Sequence, residues 1–180
     1  MASIVTLIDD PFRDALENIW GELKAVFGLK QLRGSTAPCF TWHAAGRYDD
    51  DALDAALARI AAGVPPLSAE TGQLALLRGA ECLLYIPVLA DDALLALHAQ
   101  LWSAAGAVAE GVRAAYAAAT WAPHISIAIG RLSEAEVEDI LPFLNTREAA
   151  GRIPVTNLTA IPDARSTPES WRTVPLAISG

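Results

Sequence analysis

The feature that most constrains this chain is the order of its segments, because a strand-and-helix unit runs through once and then recurs with similar punctuation. Residues 3–8 have the β-branched, short apolar character of a buried strand. Asp9 or Asp10 ahead of Pro11 then reads as an N-cap followed by a first-turn proline. Phe12, Leu16, Ile19, Trp20, Leu23 and Phe27 recur at helical spacing as far as Gly28, a natural stop. Residues 38–44 predict a second strand, after which Asp49, Asp50 or Asp51 caps an alanine- and leucine-rich helix ending near Gly63. Pro65 and Pro66 close that segment.

The second pass is similar. Residues 67–77 and 81–89 read as strands that pair antiparallel across Arg78-Gly79-Ala80. Asp91 or Asp92 starts a helix carrying Leu94, Leu95, Leu97, His98, Leu101 and Trp102, and residues 108–119 read as helix or ordered loop. A strand over 125–129 precedes Ser133-Glu134-Ala135-Glu136, a capping box for a helix through Leu144, and strands at 155–161 and 173–178 complete the chain. The order β-α-β-α-β-β-α-β-α-β-β predicts an α+β fold of two lobes. Duplicated β-α units related by a pseudo-two-fold axis would set antiparallel sheets on either side of a central cleft. No low-complexity linker parts the halves, so residues 1–180 are expected to form a single domain, its lobes built from the two halves and meeting near Gly79 to Asp92.

Composition bounds what such a fold can serve. The 180 residues suffice for a core without disulfides or metals, and Cys39 and Cys82 stand in no zinc-binding spacing. No apolar run approaches the roughly 20 residues of a membrane span. The N-terminal stretch has no basic region ahead of it, so a cytoplasmic protein without membrane partners is expected. A formal charge of −8 repels long nucleic-acid backbones and argues against duplex partners, whereas a few local donors can still hold one small phosphorylated ligand. A monomer is the expected state.

The chemistry-bearing residues emerge from comparing the halves. Pro38-Cys39-Phe40-Thr41-Trp42 and Pro123-His124-Ile125-Ser126-Ile127, whose prolines stand 85 residues apart, share the order proline, functional side chain, apolar, hydroxyl, apolar. Strand alternation puts Cys39, Thr41 and His43 on one face, and likewise His124 and Ser126; a pseudo-two-fold axis would bring these faces together across a cleft.

These motifs, with the opening strand and helix and the apolar strand that leads into Leu97-His98-Ala99-Gln100-Leu101-Trp102, resemble the 2H phosphoesterases, the 2′-5′ RNA ligase-like proteins. That family carries two His-x-Ser/Thr motifs, each usually preceded by proline. Trp121-Ala122-Pro123-His124-Ile125-Ser126-Ile127-Ala128 fits the second motif, and the resemblance covers nearly the whole chain. It implies a metal-independent phosphodiesterase-like hydrolase, needing no cofactor, that acts on a small 2′,3′-cyclic phosphate or 2′-5′ linked nucleotide. Two imidazoles on opposite sides of the phosphorus can supply base and acid near neutral pH, and the two hydroxyls can donate to the non-bridging oxygens.

Cys39 stands where the first motif would have histidine. A thiol of ordinary pKa about 8.5 matches acid/base work near pH 7 poorly. His43 is the other candidate for that role, although four residues along a strand place it about 13 Å away. The candidate catalytic residues are therefore His124, Ser126, Thr41, Cys39 and His43. Two further readings stand beside this one: a catalytically silent domain that keeps the cleft to bind a nucleotide or other anion, and a thiol or metal site made from Cys39, His43 and His124. Trp42 and Trp121 are candidates for base stacking or for core. Arg47, Tyr48, Arg131 and the polar turn Arg165-Ser166-Thr167 offer phosphate contacts or solvated strand ends.

Overall fold

The computed structural model describes residues 1–28, 37–79, 81–146 and 150–177. Ala80 of the predicted turn and Ile178 of the last predicted strand lie outside them. The fold is α+β, with four α-helices and two main antiparallel sheets among the described residues. The first sheet has the order β11 (Arg172–Pro175), β10 (Asn157–Ile161), β1 (Ala2–Leu7), β2 (Cys39–Ala45). In the second, β6 (Cys82–Leu89) is central. It pairs with β4 (Leu67–Thr71) and β5 (Ala75–Leu77) at different points along its length and with β8 (His124–Gly130); β9 (Gly151–Val155) pairs with β4. A single buried cluster draws on both sheets, from Ile4, Phe40, Trp42 and Leu158 to Leu84, Ile86, Ile125 and Ile153.

The helices are α1 (Phe12–Phe27), α2 (Asp50–Gly63), α3 (Asp92–Gly106) and α4 (Glu134–Asn145). Three begin as the sequence predicts. Asp49 and Asp91 accept from the backbone N–H of Ala52 at 3.1 Å and Leu94 at 2.9 Å, and Ser133 and Glu136 bond reciprocally at the start of α4. Helix α1 differs, for its N-cap is Pro11 and no side chain caps it. Neither predicted aspartate is available: the Asp9 carboxylate accepts from Thr156 at 2.8 Å and Asp10 pairs with Arg13 at 2.7 Å.

Two further predictions are corrected, and one that offered two forms is settled. The strand over 67–77 is broken into β4 and β5, because Gly72 lies against the Pro87 ring, where a Cβ would come within 2.7 Å of Pro87 Cγ. The segment 108–119 takes the ordered-loop form of its two predicted ones. It makes β7 (Ala109–Glu110), paired with β3 (Arg47–Tyr48), then a 3-10 turn at Ala114–Tyr116, and Gly111 between them has a φ of +67° that no right-handed helix allows. The strand over 155–161 is two strands in different sheets, β9 and β10, with the chain crossing at Thr156. Asn157 fixes that crossing, since its amide accepts from Leu7 N–H and donates to Leu7 C=O, both at 3.0 Å.

The crossing decides the architecture. The first sheet takes β1 and β2 from the start of the chain and β10 and β11 from its end, and α1 packs on β8 while α2 packs on β10 and β11. The lobes are therefore interwoven and are not the two halves of the chain.

The internal duplication is visible in the sheets themselves. Between β1 and β2 the register shifts so that Trp42 is an extra residue, and between β6 and β8 it shifts so that Ile127 is extra. The bulges fall three residues after Cys39 and three after His124, and both bulged side chains are buried.

Candidate active site

The two motif strands run beside each other. Cys39 and Thr41 of β2 and His124 and Ser126 of β8 all line one cavity of about 240 Å³. Each strand alternates normally up to its bulge, with Phe40 and Ile125 fully buried on the opposite face, so both pairs of functional side chains share the cavity. The two motifs are also tied directly, because the Trp121 indole N–H, three residues before His124, donates to the Thr41 carbonyl at 2.9 Å.

His124 is half-buried, with its ring edge-on to Tyr85 at a centroid distance of 5.5 Å. Its Nδ1 lies 2.8 Å from the Ala122 carbonyl. A carbonyl can only accept, so Nδ1 carries the hydrogen and Nε2 of the neutral ring is the nitrogen with a lone pair to offer. That is the tautomer a general base at Nε2 requires.

His43 is not in the cavity. The bulge at Trp42 reverses the alternation of β2, so Trp42, His43, Ala44 and Ala45 are all buried, and His43 turns inward where strict alternation puts it beside Thr41. There its Nδ1 lies 2.6 Å from the Tyr48 hydroxyl. Burial, reinforced by nearby His98, pushes its pKa down to about 4, so it is neutral near pH 7. No three His, Cys, Asp or Glu side chains among the described residues form a group able to hold a metal ion, which leaves Cys39, His43 and His124 as no such site.

One cavity residue was not singled out in the sequence. Tyr116, from the 3-10 turn, lines the cavity beside Cys39 and Thr41, and its phenol interacts with the Thr41 side chain. Burial pushes the phenol pKa up and the proximity of Cys39 acts the same way, against the Thr41 interaction and Arg113, so the phenol keeps its proton. Nothing in the alanine-rich stretch around it marks this tyrosine, because the turn that presents it depends on tertiary contacts: Arg113 N–H donates to Ala44 C=O at 2.9 Å. Buried His98 donates from Nε2 to the Tyr116 carbonyl at 2.9 Å.

The remaining candidates sort by their surroundings. Trp42 is fully buried and stacks on Trp121 at 5.2 Å. Trp121, half-buried, packs against the core and stacks on His98 at 4.0 Å. Arg47 pairs with Glu110. Ser166 donates to the Asp163 carbonyl at 2.6 Å, and the described cavity lining includes no lysine or arginine.

A sequence model of the 2′-5′ RNA ligase superfamily matches residues 12–166. No curated protein matches the chain significantly. Among solved structures, LigT of E. coli in apo form is similar over 98% of this chain and 94% of its own, with a TM-score of 0.61 at 11% identity. The same protein complexed with 3′-AMP gives a TM-score of 0.56 at 16% identity over the same shares. TT0787 of Thermus thermophilus gives 0.58 at 13%, covering 98% of this chain and 94% of that one, and Usb1 of Kluyveromyces marxianus gives 0.53 at 11%, covering 97% of each. At these identities the likeness is one of fold.

Proposed function

This chain belongs to the 2′-5′ RNA ligase superfamily, and from that premise we propose that it is a phosphodiesterase-like hydrolase working without a metal ion on a small 2′,3′-cyclic phosphate or 2′-5′ linked nucleotide. The observation that carries this reading is the matched placing of Cys39 with Thr41 and of His124 with Ser126 in one cavity. The ligand is nucleotide-sized: the cavity is about 240 Å³, the chain carries a charge of −8, and neither suits a polymer backbone. The similar E. coli protein complexed with 3′-AMP supports a ligand of that class.

His124 Nε2 takes a proton from the attacking water as its oxygen bonds to phosphorus and the bond to the leaving ribose oxygen breaks. The leaving oxygen takes a proton from the Cys39 thiol or from solvent. Thr41 and Ser126 donate hydrogen bonds to the non-bridging oxygens as charge develops on them. Because the acid side of the site holds a thiol where the family has imidazole, turnover is slow.

The test is hydrolysis of nucleoside 2′,3′-cyclic phosphates and of a 2′-5′ linked dinucleotide without added metal. Wild type turns over and His124→Ala loses activity about 10²- to 10⁴-fold; the Cys39→Ala rate measures the part played by the thiol. Cys39 also motivates a second reading, a silent domain that binds nucleotide and leaves it intact. Wild type that binds these ligands with no turnover would establish it.

A further inference from the structure

The first-motif side of the cavity holds a second proton-bearing group that the two motifs do not provide. Tyr116 lines the cavity with Cys39 and Thr41, and its phenol interacts with the Thr41 side chain. Its backbone is held from two sides. His98, 1% exposed, donates to its carbonyl at 2.9 Å, and Arg113 at the start of the turn donates to Ala44 in the first-motif strand at 2.9 Å. The same His98 ring stacks at 4.0 Å and 9° on Trp121, whose indole N–H bonds the Thr41 carbonyl. One ring stack, anchored by buried His98, thus fixes Tyr116 and Thr41 relative to each other, the kind of rigid support that an oxyanion-stabilising donor requires.

We propose that Tyr116 is a catalytic residue whose phenol donates a hydrogen bond to a non-bridging phosphoryl oxygen on the Cys39 side of the site. This rests on the phosphodiesterase reading above and deepens it. On that side Cys39 stands where a protonated imidazole would offer a strong N–H donor to the phosphoryl group, and a thiol is a weak donor. The phenol fills that need. Held above its ordinary pKa, it stays protonated through the neutral range, so it serves as a donor and not as a base.

The test compares wild type with Tyr116→Phe, which removes one oxygen, on 2′,3′-cyclic AMP and on the two diastereomers of its phosphorothioate, in which sulfur replaces a non-bridging oxygen. Tyr116→Phe is expected to lower kcat about 10²-fold with KM little changed, since the bond strengthens as charge develops on the oxygen. For one diastereomer, wild type slows when sulfur replaces oxygen, and that slowing shrinks in Tyr116→Phe because the donor that senses the sulfur is gone. An unchanged melting temperature assigns the loss to the site and not to the fold. Wild-type turnover with the same kcat and the same sulfur effect in Tyr116→Phe overturns this inference alone; wild type without turnover overturns the phosphodiesterase reading and this inference with it.

Discussion

At the scale of single residues, the question is what Cys39 does to a site otherwise arranged for two imidazoles. It occupies in β2 the place that His124 occupies in β8, the same distance before a matching bulge. The backbone there is already set for a histidine. Cys39→His is therefore expected to raise kcat on a 2′,3′-cyclic nucleotide by about 10- to 10³-fold and to give a bell-shaped pH profile, with one imidazole as base and the other as acid. No gain, measured by steady-state kinetics between pH 5 and 9, would mean that the two strands do not present position 39 and position 124 to the same phosphorus. His43 offers no substitute, since it is enclosed with Tyr48 and Trp102 behind the strand.

At the scale of elements, bulges and breaks shape the site more than propensities do. The two bulges let each motif strand show its functional pair to the cavity and then turn its next residues into the core. Gly72 is a similar device in the second sheet, since its N–H bonds Pro87 C=O at 2.9 Å with no room for a side chain. Gly72→Ala drives a Cβ against the proline ring and is expected to cost about 1–3 kcal/mol in urea denaturation. Asp91→Ala removes the N-cap of α3 and is expected to cost about 1 kcal/mol by the same measurement.

At the scale of the molecule, the interwoven sheets bury two histidines in one cluster of rings running from Trp42 through Trp121 and His98 to Trp102 and His43. Burial lowers both pKa values, that of His43 to about 4. The unfolded chain binds protons at these groups near pH 6.5 and the folded chain does not. Stability is thus fully present above about pH 6.5 and is lost as pH falls toward 4, by on the order of 2–3 kcal/mol for His43. Urea midpoints at pH 7 and pH 4.5 should differ accordingly, and His43→Gln should reduce the difference. Equal midpoints in wild type would show that the histidines are not held neutral by the core. No helix among the described residues is long and apolar enough to cross a membrane.

What the sequence determined by itself was local and periodic: the four helices with three of their caps, the strands that bear the motifs, and the pairing of Pro38-Cys39-Phe40-Thr41-Trp42 with Pro123-His124-Ile125-Ser126-Ile127. These follow from side-chain patterning and capping chemistry, which act over a few residues. Tertiary structure alone decided where a strand ends against a neighbour, as at Gly72 and Thr156, and where a bulge reverses the faces, as at Trp42. An apolar run reads the same whether it serves one sheet or two, so nothing local reveals that β9 and β10 part company at Thr156. Tyr116 reaches the cavity because α3 and β2 hold its turn in place, and contacts between segments so distant in the chain leave no mark in the residues beside it.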